Sequence, residues 1–539
     1  MGLPPDPAPR PAVPVALCLA IGVLGGATVL YATSLYGPNV AGDALDYVAC
    51  SRSLVEHGRF LRHDGSPMRV FPPLYPILIA GPVLAGMRPD LVGGWINCIA
   101  FAGTVALAGL WVWKVARSLP LACGASLAAL ASRPLVATSV VAGAEPVFNL
   151  LVVGFLWSLT VFHRTGSRRS LLWAAGLAAL ACLQRYVGIV LVGAGCLIIL
   201  LGQGPFFRRR VARLLVFTGI SVVPSVIWLA YSSYQKYQAT GTILPVPAPP
   251  TRAVLPILGQ AGDVALRWFV PLGPAAPRPI GTVFLLLLGA GILVWFAWQA
   301  RSRLLRPSAP SEGLPVATYA AAYLLMIVVA LSRGRWGSEG PTDRYLSPIY
   351  VPLGWVICGI LARCGIGAVR AGTGPSSRRW GGMAVAAVFA AWLAASAWAM
   401  APDVLQWAAN GAGGFNQRKF RESPTLARIN AQDWPGPLLT NRFDLVYYLG
   451  RHPAIPVPAP QTAQNQAAMN EWARSHNLQG PGPEAVLAWF KDYRPEECCG
   501  LEDLRRLLEL DTVADLPDGT ICRVRWRGPA TAATATRPE

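Results

Sequence analysis

Two carboxylates stand close together just after a long apolar stretch, in the segment "GDALDYVACSRSLVEHGRF" at 42–60. They are Asp43 and Asp46, in a chain in which only 14% of the residues are charged. A helix that begins at Asp43 places both acids, with Ser53 and His57, within about a quarter of its circumference. The spacing predicts an amphipathic helix at a membrane surface, with its polar stripe turned to water or to a cavity. A carboxylate held in this way can act as a general base.

Each of the two acids also has a structural interpretation. Asp43 follows Gly42 and precedes the helical run, so its carboxylate can cap the free amide groups of the first turn. Asp46 in the first turn is favoured by the helix dipole. A capping carboxylate is rigidly placed, so capping and catalysis are compatible for Asp43. His57, or His63 with Asp64, offers metal-ligating atoms, but the spacing is not diagnostic and solvated loop histidines are the alternative. A divalent cation therefore stays an open question.

Long apolar stretches dominate the rest of the sequence. The chain has 539 residues, of which 53% are hydrophobic, and about eleven stretches approach the length that crosses a bilayer as a helix. This predicts a polytopic α-helical membrane protein and excludes a soluble globular one. The predicted spans are 12–34, 91–116, 119–140, 144–163, 170–184, 186–203, 211–231, 280–300, 314–332, 345–363 and 380–401. The piece 72–86 is too short and too rich in proline to be a full span.

The positive charge is distributed in a way that predicts topology. The net charge is +19, but the basic residues lie in short clusters in every second connection, as the positive-inside rule requires, so we predict no nucleic-acid partner. The N-terminus is then cytoplasmic in a multi-pass protein of the cell membrane. The outer face receives the loops 35–90, 232–279 and 333–344 and the tail from 402 onward. A cleaved signal peptide is the alternative for residues 1–34, but its positive charge is sparse and ten further spans follow.

The tail has the composition of a small soluble domain. We predict an extracytoplasmic α/β domain at 402–526, a disordered end at 527–539, and a transmembrane domain at 1–401 whose loop 35–90 carries the catalytic acid. The sequence indicates a strand, a helix over Phe443 to Leu449 ended by Gly450, and a second strand. It further indicates a helix over "LEDLRRLLEL" and two strands joined through Asp518 and Gly519. If the compartment is oxidising, Cys522 can form a disulfide with Cys498 or with Cys499, and the sequence does not decide between them.

Several motifs, taken in chain order, resemble a known superfamily. The first is D-x-x-x-Y at Asp43 and Tyr47, followed by L-x-x-x-G at Leu54 and Gly58 and by Pro-Pro-Leu-Tyr-Pro at 72–76. Next come "GAEPVFNLLVVGFL", "LAALACLQRYVGIVLV", "TDRYLSPIYVPL" and "LLTNRFDLVYYLGRHPAIPVP". Together they resemble the GT-C superfamily of membrane glycosyltransferases, in the branch of protein O-mannosyltransferases and ArnT-like aminoarabinose lipid A transferases. The resemblance covers nearly the whole chain.

The resemblance implies an activity and assigns roles to residues. It implies a hexosyl- or pentosyltransferase that moves a sugar from a polyprenyl-phosphate donor to a hydroxyl of a lipid, glycan or protein of the cell envelope, outside the membrane and with inversion. Asp43 occupies the position of the catalytic base. Arg185 and Arg344 lie in family-like segments where cations stabilise the phosphate leaving group, although snorkelling or structural ion pairs are the alternative for both.

The remaining candidate residues surround these positions. Asp46 and Glu145 are candidates for orienting the acceptor or binding a cation, and an acid that stabilises a helix start is the alternative. Tyr47 and Tyr75 are candidates for a substrate path, with an interfacial aromatic belt as the alternative. The aminoarabinose branch has a lysine directly before the Pro-Pro pair, where this chain has Phe71. Arg69 is the candidate to replace it at the donor phosphate.

The competing hypothesis is a transporter, flippase or export component for lipid-linked saccharides. Such proteins carry ionisable groups near the middle of the membrane, often on broken helices in repeated halves. This sequence has no evident internal repeat, and its conspicuous acids lie at the predicted outer surface. The transferase hypothesis is therefore preferred.

Overall fold

The computed structural model describes residues 12–201, 207–240, 254–273, 277–305, 312–332, 342–370, 375–434, 436–476, 478, 485–492, 498–506 and 508–526. The predicted disordered end at 527–539 and most of the predicted loop 333–344 lie outside these residues. The chain divides into two compact units. The first comprises Met1–Pro38 and Asp46–Ala412, and the second comprises Asn39–Leu45 and Gly413–Glu539.

The first unit is helical. Its helices are α1 (Ala12–Ala32), α2 (Asp43–His57, whose first turn belongs to the second unit), α3 (Leu74–Val83), α4 (Pro89–Ala116), α5 (Leu119–Leu130), α6 (Arg133–Ser139), α7 (Glu145–Thr165), α8 (Arg168–Gln184), a 3₁₀ turn (Tyr186–Gly188), α9 (Ile189–Leu200), α10 (Phe207–Thr240), α11 (Val254–Phe269), α12 (Arg278–Leu305), α13 (Leu314–Ser332), α14 (Asp343–Arg370) and α15 (Pro375–Asn410).

Six of the described helices are long and apolar enough to cross a membrane, namely α1, α4, α7, α10, α12 and α15. Helices α5 and α6 meet at a bend of 52° and make a seventh crossing if the pair is one span. The protein is therefore a multi-pass membrane protein. The other predicted spans also fall on helices, α8, α9, α13 and α14. The count of eleven spans stays a prediction, as does the orientation of the termini.

The predicted Pro-rich loop 232–279 is more ordered than its composition indicates. Helix α10 continues to Thr240, and α11 occupies Val254–Phe269. Pro256 lies in the first turn of α11, where a missing amide proton costs no hydrogen bond. Gly259 allows close packing on α12, because a Cβ there would lie 2.7 Å from the carbonyl oxygen of Arg278. This part of the loop prediction is wrong, since the packing of small residues outweighs the turn-forming composition.

Helix α2 is more deeply placed than a helix lying on a membrane surface. All residues from Ala44 to Ser51 are buried, on every face of the helix, while Glu56 and His57 are exposed. Gly58 ends the helix with φ +65°, a conformation that favours glycine. Asp46 on the predicted polar stripe is therefore shielded from water, and a cavity, the other surroundings predicted for the stripe, stays a prediction.

The second unit contains a five-stranded sheet with the order β2-β1-β3-β5-β4. The strands are β1 (Leu438–Thr440), β2 (Ala454–Pro456), β3 (Ala485–Phe490), β4 (Leu508–Leu516) and β5 (Gly519–Trp526). Strand β1 pairs in parallel with β2 and β3, while β5 pairs antiparallel with β3 and β4. The helices are α16 (Arg418–Arg421), α17 (Pro424–Asn430), α18 (Phe443–Leu449), α19 (Pro460–Ala463), α20 (Gln466–Ser475) and α21 (Leu501–Arg505).

Most of the predicted elements of the tail are confirmed, with two corrections. Helix α18 has the predicted bounds and ends at Gly450. The turn between β4 and β5 is Pro517–Asp518, one residue earlier than predicted. The predicted helix over 501–510 ends at Arg505, because Leu508 pairs with Trp526 and Leu510 with Val524 in the sheet. Cys498, Cys499 and Cys522 are buried, and Cys499 and Cys522 are free thiols. Burial raises the pKa of Cys499 to about 12.

The first turn of α2 belongs to this second unit through a short backbone pairing. Val40 forms a parallel bridge with Gly414, and the amide of Phe415 donates to the carbonyl of Val40 at 3.0 Å. The compact unit therefore begins at Gly413 and includes Asn39–Leu45, a segment far away in sequence. The predicted boundary at 402 falls inside α15, which continues to Asn410.

An ion pair in the second unit gives a pH-dependent contribution to its stability. The side chain of Arg442 is buried, and its Nη1 donates to Asp492 Oδ2 at 2.9 Å. Partial burial of Asp492 raises its pKa, but Arg442 and Lys419 outweigh this and leave the pKa below its ordinary value of 3.8. A lowered pKa means that the carboxylate stabilises the fold above that value and loses this effect as the pH falls through the lowered pKa.

We expect Asp492→Asn to destabilise the second unit at neutral pH by about 1 kcal/mol, because the half-exposed carboxylate is screened by water. Hydrogen exchange of the peptide 485–490 in the full chain, corrected for the intrinsic effect of pH on exchange, measures the change. The difference from the wild-type protein should shrink below about pH 3.8. A difference that stays constant down to about pH 2 would show that Asp492 acts without its charge.

Candidate active site

A buried carboxylate shared by two arginines forms the centre of the candidate site. Glu145 is the first residue of α7 and is 2% exposed. Its Oε1 accepts hydrogen bonds from Nη1 of Arg185 and from Nε of Arg344. The structure thus brings together three predicted site residues that are up to 199 positions apart in sequence. One negative and two positive charges give this cluster a net charge of +1.

A break between two helices positions Arg185. Helix α8 ends at Gln184, and Arg185 is extended, with φ −151° and ψ 137°, before the 3₁₀ turn at Tyr186–Gly188. Gly188 makes the break possible, because a Cβ there would lie 2.5 Å from the backbone of Ala181. The segment L-Q-R-Y-V-G therefore turns Arg185 out of the helix, so that its side chain reaches Glu145.

Arg344 is positioned by the alignment of α14 with α7. It is the second residue of α14, and its side chain is 34% exposed, whereas that of Arg185 is 17% exposed. One turn farther along both helices, Asn149 donates to Ser347 Oγ at 3.4 Å. This contact aligns the two helix starts, so that Arg344 lies beside Glu145. Arg344 is the more accessible of the two arginines.

Two buried amide side chains hold the loop before Glu145, and the sequence analysis missed both. Asn97 in α4 donates to the carbonyl of Val141 at 2.5 Å and to that of Gly143 at 3.1 Å. Gln184 donates to the carbonyl of Ala144 at 2.9 Å. A polar residue within an apolar span is costly to bury without partners. The isolated Asn97 in "WINCIAFAG" was the available signal.

Gly143 allows the carboxylate of Glu145 to fold back toward the loop. A Cβ on Gly143 would lie 2.6 Å from Glu145 Oε2. We expect Gly143→Ala to displace this carboxylate and to reduce the free energy of unfolding by about 1–3 kcal/mol. The melting temperature of the purified protein should fall accordingly. Gly176→Ala is the matched control, since a Cβ there has nothing within 4 Å. Equal melting temperatures for the two variants would contradict this account of the loop.

Aromatic side chains pack beside the loop and the arginines. Tyr75 is fully buried, and its hydroxyl lies 3.1 Å from Asn97 Oδ1 and 3.2 Å from the carbonyl of Gly93. Tyr47 contacts the ring of Tyr75 at 5.2 Å and that of Phe71 at 5.1 Å. Tyr75 thus supports Asn97 and the loop before Glu145, and its role in lining a substrate path stays a prediction. Phe71, which directly precedes the Pro-Pro pair, takes part in this packing.

Asp46 is engaged by two basic residues of the following loop. Its Oδ2 accepts from Arg62 Nε at 2.9 Å, and its Oδ1 lies 2.6 Å from His63 Nδ1. The side chain is 5% exposed. These contacts hold the loop 58–73 against α2. The predicted role of Asp46 beside an acceptor or a cation stays a prediction. Within the described parts of the chain, no group of three or more His, Cys, Asp or Glu side chains is placed to hold a metal ion.

Two further predicted site residues, Arg69 and Asp43, also lie outside the Glu145 cluster. The backbone of Arg69 lies near the cluster, because its carbonyl oxygen accepts a hydrogen bond from the hydroxyl of Tyr186 at 3.4 Å. Tyr186 directly follows Arg185. Its side chain makes no ion pair with the described residues. Asp43 is the half-buried first residue of α2 and belongs to the second unit. Its role as the base stays a prediction.

Comparison with solved structures identifies the fold. The chain superposes on the crystal structure of ArnT from Cupriavidus metallidurans bound to undecaprenyl phosphate with a TM-score of 0.56, over 98% of this chain and 99% of that one. The chain has the fold of ArnT. The apo structure of the same ArnT matches with a TM-score of 0.55 over 95% of this chain and 97% of that one. The sequence identity is 16% in both cases.

The other comparisons add little to this result. The S. cerevisiae protein O-mannosyltransferase Pmt1-Pmt2 complex bound to the sugar donor matches with a TM-score of 0.34 and 14% identity over 42% of this chain and 34% of that one, which is too weak to support an argument. No family model and no curated protein sequence matches the chain. The predicted ArnT-like fold is therefore confirmed, and the helices that carry the Glu145 cluster belong to it.

Proposed function

We propose that this protein is a membrane glycosyltransferase that moves a sugar from a polyprenyl-phosphate donor to a hydroxyl of a lipid, glycan or protein acceptor. The observation that carries the proposal is the cluster of Glu145, Arg185 and Arg344, within a fold shared with an ArnT that was crystallised with undecaprenyl phosphate. The net positive charge of the cluster suits a lipid phosphate.

The chemistry of the leaving group explains why two arginines are needed. As the bond between the sugar and the phosphate breaks, a phosphodiester with one negative charge becomes a phosphomonoester with up to two. Guanidinium groups placed beforehand stabilise this growing charge without reorganising. Glu145 keeps both arginines in place and reduces their mutual repulsion. Arg344, with a third of its side chain exposed, is the residue we assign to direct phosphate contact, and Arg69 is assigned as an additional contact from the adjacent loop.

The acceptor needs a base, because a hydroxyl is a poor nucleophile. We assign this role to Asp43, which takes the proton as the acceptor oxygen attacks the anomeric carbon from the side opposite the phosphate. Attack from that side inverts the anomeric centre. The leaving phosphate needs no proton, so one acid is sufficient. We place the reaction on the outer face of the membrane, with the second unit outside and the N-terminus inside.

A transfer assay tests the proposal against the transporter alternative. Membranes that contain the full-length chain are supplied with undecaprenyl phosphates that carry different radiolabelled sugars. We expect at least one of them to release undecaprenyl phosphate and to label an acceptor in the membrane. Movement of an intact lipid-linked sugar across sealed vesicles without release of undecaprenyl phosphate would favour the transporter.

A further inference from the structure

A second polar site lies next to the Glu145 cluster in the first unit. It is a cavity of about 310 Å³ where the junction of α5 and α6 meets α11, α14 and α15. Two arginines, Arg133 and Arg267, and two aspartates, Asp343 and Asp403, line it together with Trp268. Asp343 directly precedes Arg344, so the cavity and the cluster share the first turn of α14. None of the roles assigned above uses these side chains.

The charged groups of the cavity are arranged in a fixed network. Arg133 Nε donates to Asp403 Oδ2 at 2.7 Å, and its Nη1 lies 3.8 Å from Asp343 Oδ2. The indole nitrogen of Trp268 donates to Asp343 Oδ1 at 3.1 Å. Arg267 Nη2 donates to Asp263 at 2.5 Å. The four lining charges belong to four different helices or junctions, so their positions depend on the whole helical unit.

The balance of charges limits which ligand the cavity can accept. Two positive and two negative side chains line it, and Asp263 behind Arg267 adds a further negative charge. A phosphate or carboxylate would enter a site with no net positive charge, which electrostatic complementarity disfavours. Carboxylates accept hydrogen bonds and guanidinium groups donate them. A ligand with many hydroxyl groups can use both kinds of partner without changing the charge.

The aromatic wall and the size of the cavity agree with this chemistry. Trp268 is held by its hydrogen bond to Asp343 and by an edge contact with Tyr350 at 5.3 Å. An aromatic ring beside convergent polar groups is typical of sites that bind small molecules, and the volume lies at the lower end of their range. We propose that this cavity binds a sugar ring without negative charge, supplied either by the lipid-linked donor or by the acceptor. The identity of these two sources rests on the proposed function.

Protection of an engineered thiol tests the proposal on the full-length protein in lipid nanodiscs. Ala399→Cys places a thiol on the half-buried wall of the cavity, while Ala401→Cys places one at an exposed position of the same helix outside it. Both variants are labelled with a charged thiol reagent, and the background of the native cysteines is measured on the wild-type protein. The probes are the methyl glycosides of glucose, galactose, mannose and xylose, together with glucose 6-phosphate.

We expect at least one methyl glycoside to slow the labelling of the Ala399→Cys variant by about threefold or more at saturation, with no effect on the Ala401→Cys variant. Glucose 6-phosphate should not protect. Asp403→Asn in the Ala399→Cys background should weaken the protection, because Arg133 loses the nearer of its two charged partners. The proposal is overturned if no glycoside protects, or if glucose 6-phosphate protects as well as the neutral sugars do.

A second pair of probes distinguishes the two sources of the sugar. Stronger protection by undecaprenyl-phosphate glucose than by the free glycosides, with none by undecaprenyl phosphate, would assign the cavity to the donor. Protection by free glycosides that persists in the presence of undecaprenyl phosphate would assign it to the acceptor. Labelling requires no turnover, so an inactive wild-type protein would defeat the proposed function and leave this result unchanged.

Discussion

Asp43→Asn should abolish sugar transfer while leaving the protein folded. The amide is nearly the same size as the carboxylate but cannot take a proton from the acceptor hydroxyl. General base catalysis contributes about 10²–10⁴-fold, so we expect transfer to fall by roughly 10³-fold. The measurement is release of undecaprenyl phosphate from a lipid-linked sugar by purified full-length protein. The melting temperature should change little, because Asp43 is only half-buried and the substitution keeps the size of its side chain.

Asp46→Asn is the matched control for this experiment. Asp46 lies three residues later in the same helix, but it is bound to Arg62 and His63. Asp46→Asn weakens these buried contacts, so we expect the free energy of unfolding to fall by about 1–3 kcal/mol and the melting temperature to fall with it. Transfer should be reduced less than it is by Asp43→Asn. Retained transfer in Asp43→Asn would remove Asp43 from its assigned role. Equal loss in both variants would point to damage of the helix.

The helical part of the fold could be predicted because its cause is local in sequence. An apolar segment that lies in lipid must satisfy its backbone groups internally, so composition alone indicates a helix. The eleven predicted spans accordingly all fall on helices. Helix α11 was missed because its order depends on contact between Gly259 and α12, and the spacing of glycines does not reveal which partner they meet.

The candidate site was only partly predictable, for a similar reason. Glu145, Arg185 and Arg344 were found from motifs and topology, but as separate candidates with different roles. That they share one carboxylate follows from the break at Gly188 and from the alignment of α7 with α14, which are tertiary features. Asn97 and Gln184 act through backbone carbonyls, and no sequence motif records such contacts. The grouping of Asn39–Leu45 with the second unit likewise depends on one backbone pairing with Gly414.

The second large effect is expected for Glu145→Gln. The substitution removes the negative charge that two arginines share in a buried position, so Arg185 and Arg344 are left as neighbouring like charges. Breaking a buried ion pair by removing one partner costs about 3–5 kcal/mol. We therefore expect a clearly lower melting temperature and loss of transfer. Thermal unfolding of the purified protein, followed by size-exclusion chromatography, measures the first effect.

Two controls distinguish the effect of the ion pairs of Glu145 from the general effect of removing a carboxylate on stability. Glu312→Gln also removes one carboxylate, whose Oε1 lies 2.8 Å from Nη1 of Arg164. Because the side chain of Arg164 is 40% exposed, we expect a loss of stability of about 1 kcal/mol or less. The double variant Glu145→Gln with Arg185→Gln should recover part of the stability, because one unpaired charge is removed together with the carboxylate. It should not recover transfer, since the phosphate then loses one of the two guanidinium groups of the cluster. Recovery of both properties would show that the cluster serves the fold alone, and an unchanged melting temperature in Glu145→Gln would show that the arginines are held by other contacts.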